Sequence, residues 1–129
     1  MGRTGELGLI AVGGAVGALL RFLVGEALPS TAFPWSTFAV NIVGCALLAV
    51  AMSPSRTKTQ RRILGTGFCG GLTTFSTFSV EVASLAEHDQ TGIAIAYLLA
   101  SIAVGLAAFV AVRTIVDPGP SSPSIGQSL

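Results

Sequence analysis

The sequence is poor in charge, since lysine, arginine, aspartate and glutamate together make up only 10% of its 129 residues. Soluble domains carry about 25% of these residues. Apolar residues reach 51% of the chain, and a soluble fold of this length could not bury so much apolar surface. The composition therefore predicts an integral membrane protein, which we expect to lie in the cell membrane in contact with lipid.

Several kinds of functional site are excluded by what the chain lacks. Its formal net charge is only +1, so nucleic-acid binding has no electrostatic support. Its two cysteines, Cys45 and Cys69, lie in apolar stretches and fit neither a disulfide framework nor a metal motif, so we interpret both as small core residues. The single histidine, His88, has no partner at ligand spacing. We therefore predict that the protein is not an enzyme.

Long apolar runs are what the chain does contain. A bilayer core about 30 Å thick needs roughly 20 apolar residues in a helix. A signal peptide is the competing interpretation of the first run, but that run continues to Arg21 without a clear cleavage site. Residues 1–116 are predicted to form one transmembrane unit, and residues 117–129, rich in proline, glycine and serine, a flexible tail. The four predicted spans are residues 7–25, 35–52, 63–86 and 93–112.

Basic residues are concentrated on one side of these spans. That side would hold both termini and the loop between the second and third spans, whereas only Arg21 approaches the opposite loops. The positive-inside rule therefore predicts a multi-pass protein with both termini in the cytoplasm. The residues that carry this bias are Arg3, Arg56, Lys58, Arg61, Arg62 and Arg113.

The third span is too rich in glycine and hydroxyl groups for an ordinary lipid-facing helix. Gly70 and Gly71, followed by Thr73 and Thr74, predict an interruption at its centre. An interrupted helix exposes backbone carbonyls that suit a hard cation, and it gives the second half-helix a free N-terminus. Discontinuous membrane helices of this kind mark ion or substrate sites.

Polar residues in the other spans leave two interpretations open. Arg21 is either an interfacial anchor or a positive charge at the mouth of an anion path. Asn41, with Thr37 one turn earlier on the same face, either bonds to a neighbouring helix or donates to an anion. Tyr97 and Ser101, which are also four residues apart, share a face of the fourth span.

Two phenylalanines and a glutamate follow the predicted interruption at intervals of three residues. On spacing alone, Phe75 and Phe78 form a packing pair against another helix, although the positive edges of their rings could also face an anion. Glu81 lies near the end of the span, where we expect it to snorkel or to accept hydrogen bonds.

Together these residues resemble a known family, the CrcB/Fluc family of small fluoride channels. The similarity lies in residues 70–79 (GGLTTFSTFS) followed by Glu81, in Asn41, and in the glycine-rich run that ends at Arg21. It covers the chain from Leu7 to Val112. The resemblance implies four-helix subunits with a broken third helix, paired antiparallel to form two pores, and a sodium ion where the two broken helices cross.

The resemblance also implies roles for individual residues. Phe75 and Phe78 would form an aromatic box whose ring edges face fluoride, and Asn41 would donate to the ion. The hydroxyl groups of the implied pathway belong to Thr37, Tyr97, Ser101, Thr74 and Ser76.

Three further positions complete the comparison with the family. Arg21 corresponds to an arginine of the vestibule, and the backbone carbonyls of Gly70 and Thr73 correspond to the ligands of the structural sodium ion. Some relatives carry a further hydroxyl residue where this chain has Gly105, so the row of polar residues along the implied pathway is shorter here.

The function implied by the resemblance is passive export of fluoride from the cytoplasm, which reduces fluoride toxicity. One alternative is a proton-coupled exporter of the small multidrug-resistance type, for which Glu6 and Glu81 lie too far from mid-membrane. Another is an accessory membrane subunit. Many relatives pair with themselves, whereas the charge bias of this chain favours one orientation and an oppositely oriented homologue as partner.

Overall fold

The computed structural model describes residues 2–29 and 31–119, and this part of the chain is helical, without β-strands. We call the stretch Lys58–Glu87 the interrupted helix. The predicted tail at residues 117–129 lies outside the described residues, apart from residues 117–119. The helices are α1 (Arg3–Ala27), α2 (Trp35–Ala51), α3 (Lys58–Arg61), a π-helical segment (Arg62–Cys69), α4 (Gly70–Leu72), α5 (Phe75–Glu87) and α6 (Thr91–Val116).

Two of these helices, α1 and α6, are long and apolar enough to cross a bilayer, and α2 is a shorter apolar helix. Their 25 and 26 residues correspond to about 38 Å at 1.5 Å per residue. Large apolar side chains such as Val12, Phe22, Leu99 and Leu106 are exposed on them, which suits lipid rather than water. The prediction of an all-helical membrane protein is therefore confirmed.

The interruption starts at Thr73 rather than at Gly70. Gly70 and Gly71 belong to α4 and keep helical geometry. Thr73 and Thr74 are extended, with φ/ψ of −83°/158° and −147°/123°. Helix α5 begins at Phe75, and the Thr74 side chain caps it by accepting a hydrogen bond from the amide of Thr77. The prediction that the two glycines are unwound was therefore wrong.

Close packing explains why glycines precede the interruption without unwinding. A Cβ atom at Gly71 would overlap the carbonyl group of Gly14 on α1. A Cβ atom at Gly17 would overlap the carbonyl oxygen of Phe68 in the same way. The absence of side chains at these positions lets the backbones of α1 and the interrupted helix touch, as small residues do between membrane helices.

Polar contacts tie the helix ends together. Arg62, at the start of the π-helical segment, pairs with Glu6 in the first turn of α1, with 3.1 Å between Nη1 and Oε1. Arg113, in the last turn of α6, donates from Nη1 to the carbonyl oxygen of Met52 at the end of α2, at 2.7 Å. Helix α1 therefore runs in the same direction as the interrupted helix, and α2 in the same direction as α6. Helix α2 packs on α6 and on the π-helical segment, and α5 packs on α6.

Candidate functional site at the interrupted helix

Asn41 of α2 holds the backbone of the interruption. Its Nδ2 donates to the carbonyl oxygen of Thr74 at 3.0 Å, and its Oδ1 accepts from the amide of Thr74 at 2.8 Å. These two bonds satisfy both backbone groups of Thr74, which is 8% exposed. Of the two interpretations of Asn41, the structure shows the hydrogen bond to a neighbouring helix. A primary amide carries two N–H groups, so one remains for another acceptor.

Arg21 of α1 reaches the same interruption from the other side. Its Nη1 donates to the carbonyl oxygen of Thr73 at 2.8 Å, and the side chain is partly buried. The Thr73 hydroxyl donates back to the carbonyl oxygen of Cys69 at 2.9 Å. The carbonyls of Thr73 and Thr74 thus each receive a side-chain donor, from Arg21 and from Asn41 respectively. The guanidinium group lies against the interruption, where it supplies a positive charge.

Most of the residues predicted for the anion path and the cation site line one cavity of about 700 Å³ between α2, the interrupted helix and α6. Its wall is mainly apolar, with a few polar groups at the interruption. The predicted residues in this wall are Asn41, Gly70, Thr73, Thr74, Phe75, Phe78 and Ser101. Arg21, Thr37, Ser76 and Tyr97 are not part of it.

The two phenylalanines have different environments within this cavity. Their ring centroids are 6.0 Å apart, but Phe75 is 81% exposed whereas Phe78 is 9% exposed. The Phe78 ring also packs against Tyr97, with centroids 5.1 Å apart. Phe78 is thus fixed by its neighbours, and Phe75 projects from the first turn of α5 without a comparable support.

Ser101 and Tyr97, which the sequence placed on one face of the fourth span, have different environments. The Ser101 hydroxyl lies in the cavity wall, where its oxygen is buried and has no hydrogen-bond partner within the described residues. The Tyr97 ring is fully buried, and its hydroxyl donates to Oε2 of Glu81 at 2.7 Å. Ser76 is exposed, with its oxygen 3.3 Å from that of Thr74.

Glu81 is the centre of a second polar cluster. Its Oε1 accepts from the Thr37 hydroxyl at 2.8 Å, while its Oε2 accepts from Tyr97. The prediction that Glu81 accepts hydrogen bonds is confirmed. The sequence did not indicate that Thr37 and Tyr97 are its donors, because they lie 44 and 16 residues away along the chain.

Phe33, in the loop before α2, is a neighbour of this cluster that sequence reasoning missed. Its ring packs edge-on against Tyr97, with centroids 5.3 Å apart, and is tilted against the Trp35 ring, with centroids 4.4 Å apart. Together with Phe78 it holds the Tyr97 ring in place. The only signal in the sequence was its position among loop prolines, which does not distinguish a buried ring from an exposed one.

A cation at the interruption would depend on backbone oxygens. Among the described residues there is no group of three or more histidine, cysteine, aspartate or glutamate side chains that could hold a metal ion. The Thr73 carbonyl already accepts from Arg21, although a carbonyl oxygen has a second lone pair. Gly70 is exposed at the start of α4. One chain offers the two carbonyl oxygens of Gly70 and Thr73, fewer ligands than a hard cation takes, so the donor set would fit such an ion with carbonyl oxygens from a second chain.

Fold and site together define a small helical membrane protein with a polar interruption in one helix and a cavity beside it. Residues 8–112 match the family model described as CrcB-like protein, Camphor Resistance (CrcB). The chain belongs to this family, as the resemblance in residues 70–79 indicated.

Curated relatives are similar over most of the chain. The protein is 46% identical over 101 residues to fluoride-specific ion channel FluC 2 of Rhodococcus jostii. This match covers 78% of this chain and 89% of the relative. It is 46% identical over 110 residues to fluoride-specific ion channel FluC 1 of Mycolicibacterium paratuberculosis, covering 80% and 83%. Fluoride-specific ion channel FluC of Rhizobium leguminosarum bv. trifolii is 43% identical over 111 residues, covering 80% and 89%.

Proposed function

We propose that the protein is a subunit of a fluoride-specific ion channel that lets fluoride leave the cytoplasm passively and so reduces its toxicity. The relatives at 46% identity are named fluoride-specific ion channels. The observation that carries the proposal is the cavity that Asn41, Phe78 and Ser101 line together beside the helix interruption.

The chemistry of this cavity suits a small, strongly hydrated anion. Its buried Ser101 hydroxyl has no partner within the described residues, and the Asn41 amide keeps one N–H free after its bond to Thr74. The Phe78 ring adds a positive edge. These are neutral donors, so they replace the water of an anion without trapping it, and weak contacts distributed along a path permit conduction.

The shape of the cavity supports an assembly of two chains. Phe75 projects from α5 with 81% of its surface exposed, and the cavity wall of one chain is open beside it. We propose an antiparallel dimer in which each chain contributes four membrane spans, namely α1, α2, the interrupted helix and α6. Two pores would then lie along the interface.

A structural sodium ion at the crossing of two interrupted helices would complete this assembly. The carbonyls of Gly70 and Thr73 from each chain would supply its ligands, as oxygen donors suit a hard cation. Arg21 lies 2.8 Å from one of these carbonyls and limits the positive charge that the crossing can accept.

The alternative functions have less support. A proton-coupled exporter needs a carboxylate available for protons and cationic substrates, whereas both oxygens of Glu81 accept hydrogen bonds and Glu6 is paired with Arg62. An accessory subunit would use all its polar groups for packing. The buried Ser101 hydroxyl, which has no partner among the described residues, argues against that.

Growth of a bacterial strain without its own fluoride exporter tests the proposal in cells. Expression of the chain, together with an oppositely oriented homologue where one is required, restores growth in medium that contains fluoride. Expression of Phe78→Ile in the same way restores it poorly. Equal growth with wild-type protein and with an empty vector would contradict the proposal.

A further inference from the structure

Two cysteine thiols lie in the wall of the cavity that also carries Asn41 and Ser101. Cys45 belongs to α2 and is partly exposed, and Cys69 ends the π-helical segment with 4% of its surface exposed. Both are free thiols, and neither sulfur takes part in the bonds that hold the interruption. The fluoride path as proposed does not use either thiol.

Contacts on both sides of the pair place the two thiols opposite each other. Helix α2 and the interrupted helix run antiparallel, with Asn41 bonded to Thr74. Cys45 follows Asn41 by four residues and Cys69 precedes Thr74 by five, so each lies about one helical turn from that bond. Further along, a Cβ atom at Gly65 would lie 3.5 Å from the Leu48 side chain, which continues the same pairing.

The Cys45 thiol lies against α6 at a position that has no side chain. A Cβ atom at Gly105 of α6 would lie 3.3 Å from the Cys45 sulfur and 3.6 Å from the Ile42 side chain, so glycine at this position keeps the space beside the thiol open.

We propose that Cys45 and Cys69 form a two-thiolate site for a soft monovalent metal cation, of which Ag⁺ is the simplest probe, and that its occupation stops anion movement through the cavity. Thiolates select soft cations. Zn²⁺ normally takes four ligands, and the described residues contain no group of three or more histidine, cysteine or carboxylate side chains that could supply them. A cation that accepts two sulfur ligands fits what the pair provides.

The charge balance of binding explains why conduction would stop. Two S–H bonds lose their protons to solvent and two metal–sulfur bonds form, so a monovalent cation with two thiolates carries one net negative charge. In a water-poor cavity this charge repels an entering anion. The effect on flux rests on the proposed fluoride conduction, whereas binding of the metal does not.

Metal binding by the purified chain tests the site directly. In equilibrium dialysis with silver nitrate in chloride-free buffer, we expect about one Ag⁺ per chain, as a two-thiolate site requires. Cys45→Ser and Cys69→Ser each lose this ion, with Cys45→Ala and Cys69→Ala replacing them if a serine variant does not fold. Met52→Leu removes the nearby thioether and serves as the matched control that keeps the ion. Undiminished binding by the double cysteine variant would overturn the assignment, as would loss of the ion from Met52→Leu.

Fluoride efflux from liposomes then tests the consequence of binding. We expect Ag⁺ to reduce the flux of the wild-type protein at least about tenfold, because a unit charge acts strongly at short range in a low-dielectric cavity. The flux of Cys45→Ser remains unchanged by Ag⁺. If wild-type flux continues at full silver occupancy, the site lies off the path and the proposal fails. If no fluoride flux exists without Ag⁺, the proposed function fails, and the dialysis still decides whether the site exists.

Discussion

Asn41 shows at the scale of a single residue how one side chain substitutes for helical hydrogen bonds. It supplies both a donor and an acceptor to Thr74, whose amide and carbonyl have left the helix. A buried backbone group without a partner costs about 1–3 kcal/mol. The amide of Asn41 thus stabilises the interruption while its remaining N–H stays available to the cavity.

Replacement of Asn41 by leucine is expected to destabilise the fold. Both backbone groups of Thr74 lose their partner, at a cost of about 2 kcal/mol or more. The midpoint of thermal unfolding in detergent falls accordingly. Ser79→Ala is the matched control, since its exposed hydroxyl bonds only within α5, to the carbonyl of Phe75. Equal midpoints for the two variants would show that Asn41 does not hold the interruption.

Phe78→Ile is expected to reduce fluoride flux about tenfold, which corresponds to a barrier higher by about 1.4 kcal/mol. Isoleucine fills the space but has no positive ring edge to offer an anion. Efflux from liposomes measures the flux, and size-exclusion chromatography checks that the dimer remains. Phe38→Ile is the control, because that ring packs against Phe33 and Trp35 and is not in the cavity wall. Unchanged flux would remove Phe78 from the path.

Most of the site residues predicted from the sequence lie in the cavity wall, but the sequence did not identify their partners. Polar groups in an apolar span stand out by composition alone, which is why Asn41 and Ser101 were found. The bond from Arg21 to Thr73 spans 52 residues of sequence, and the bond from Thr37 to Glu81 spans 44. Such pairs depend on how helices pack, and no local pattern encodes them.

At the scale of the element, the interrupted helix combines close packing and a break within a few residues. Gly71 lets the backbone of α4 touch that of α1, and Thr73 and Thr74 then leave the helix. The sequence predicted the interruption in the correct span but started it at Gly70. Glycine weakens a helix and also lets two helix backbones approach closely. Which of these effects applies depends on whether a neighbouring helix packs against the glycine.

Gly71→Ala is expected to disrupt the packing of the interrupted helix on α1. The added methyl group would overlap the Gly14 carbonyl, and overpacking of this kind costs about 1–3 kcal/mol or more. Gly8→Ala is the control, because no atom lies within 4 Å of its added Cβ and alanine favours helix. The yield of folded protein and its thermal midpoint are the measurements. The packing account fails if Gly71→Ala matches Gly8→Ala in both.

At the scale of the whole molecule, the chain combines an asymmetric charge distribution with a cavity that is open on one side. Arg62 and Arg113 both contact residues at the same end of the helix bundle, Glu6 and Met52 respectively. Composition was enough to predict the helical membrane class. The proposed assembly could not be predicted from one chain, since its interface would be formed by residues such as Phe75, whose surface is mostly exposed in that chain.

The charge bias predicts that the chain inserts in one orientation, with its C-terminus in the cytoplasm. A tag at the C-terminus, assayed for accessibility from each side of the membrane, measures this. Replacing Arg56, Lys58, Arg61 and Arg62 by glutamine provides the comparison, and this variant should insert both ways. A near-equal mixture of orientations for the wild-type protein would contradict the prediction and favour a homodimer.

Selective fluoride conduction by the purified protein tests the account most directly. Liposomes that contain the protein and carry both fluoride and chloride are placed in a medium free of both ions, and the release of each ion is followed in the same preparation. The protein is tested alone and with an oppositely oriented homologue. The account predicts rapid release of fluoride in at least one preparation while chloride stays inside. Release of chloride at a comparable rate, or of neither ion in both preparations, would contradict it.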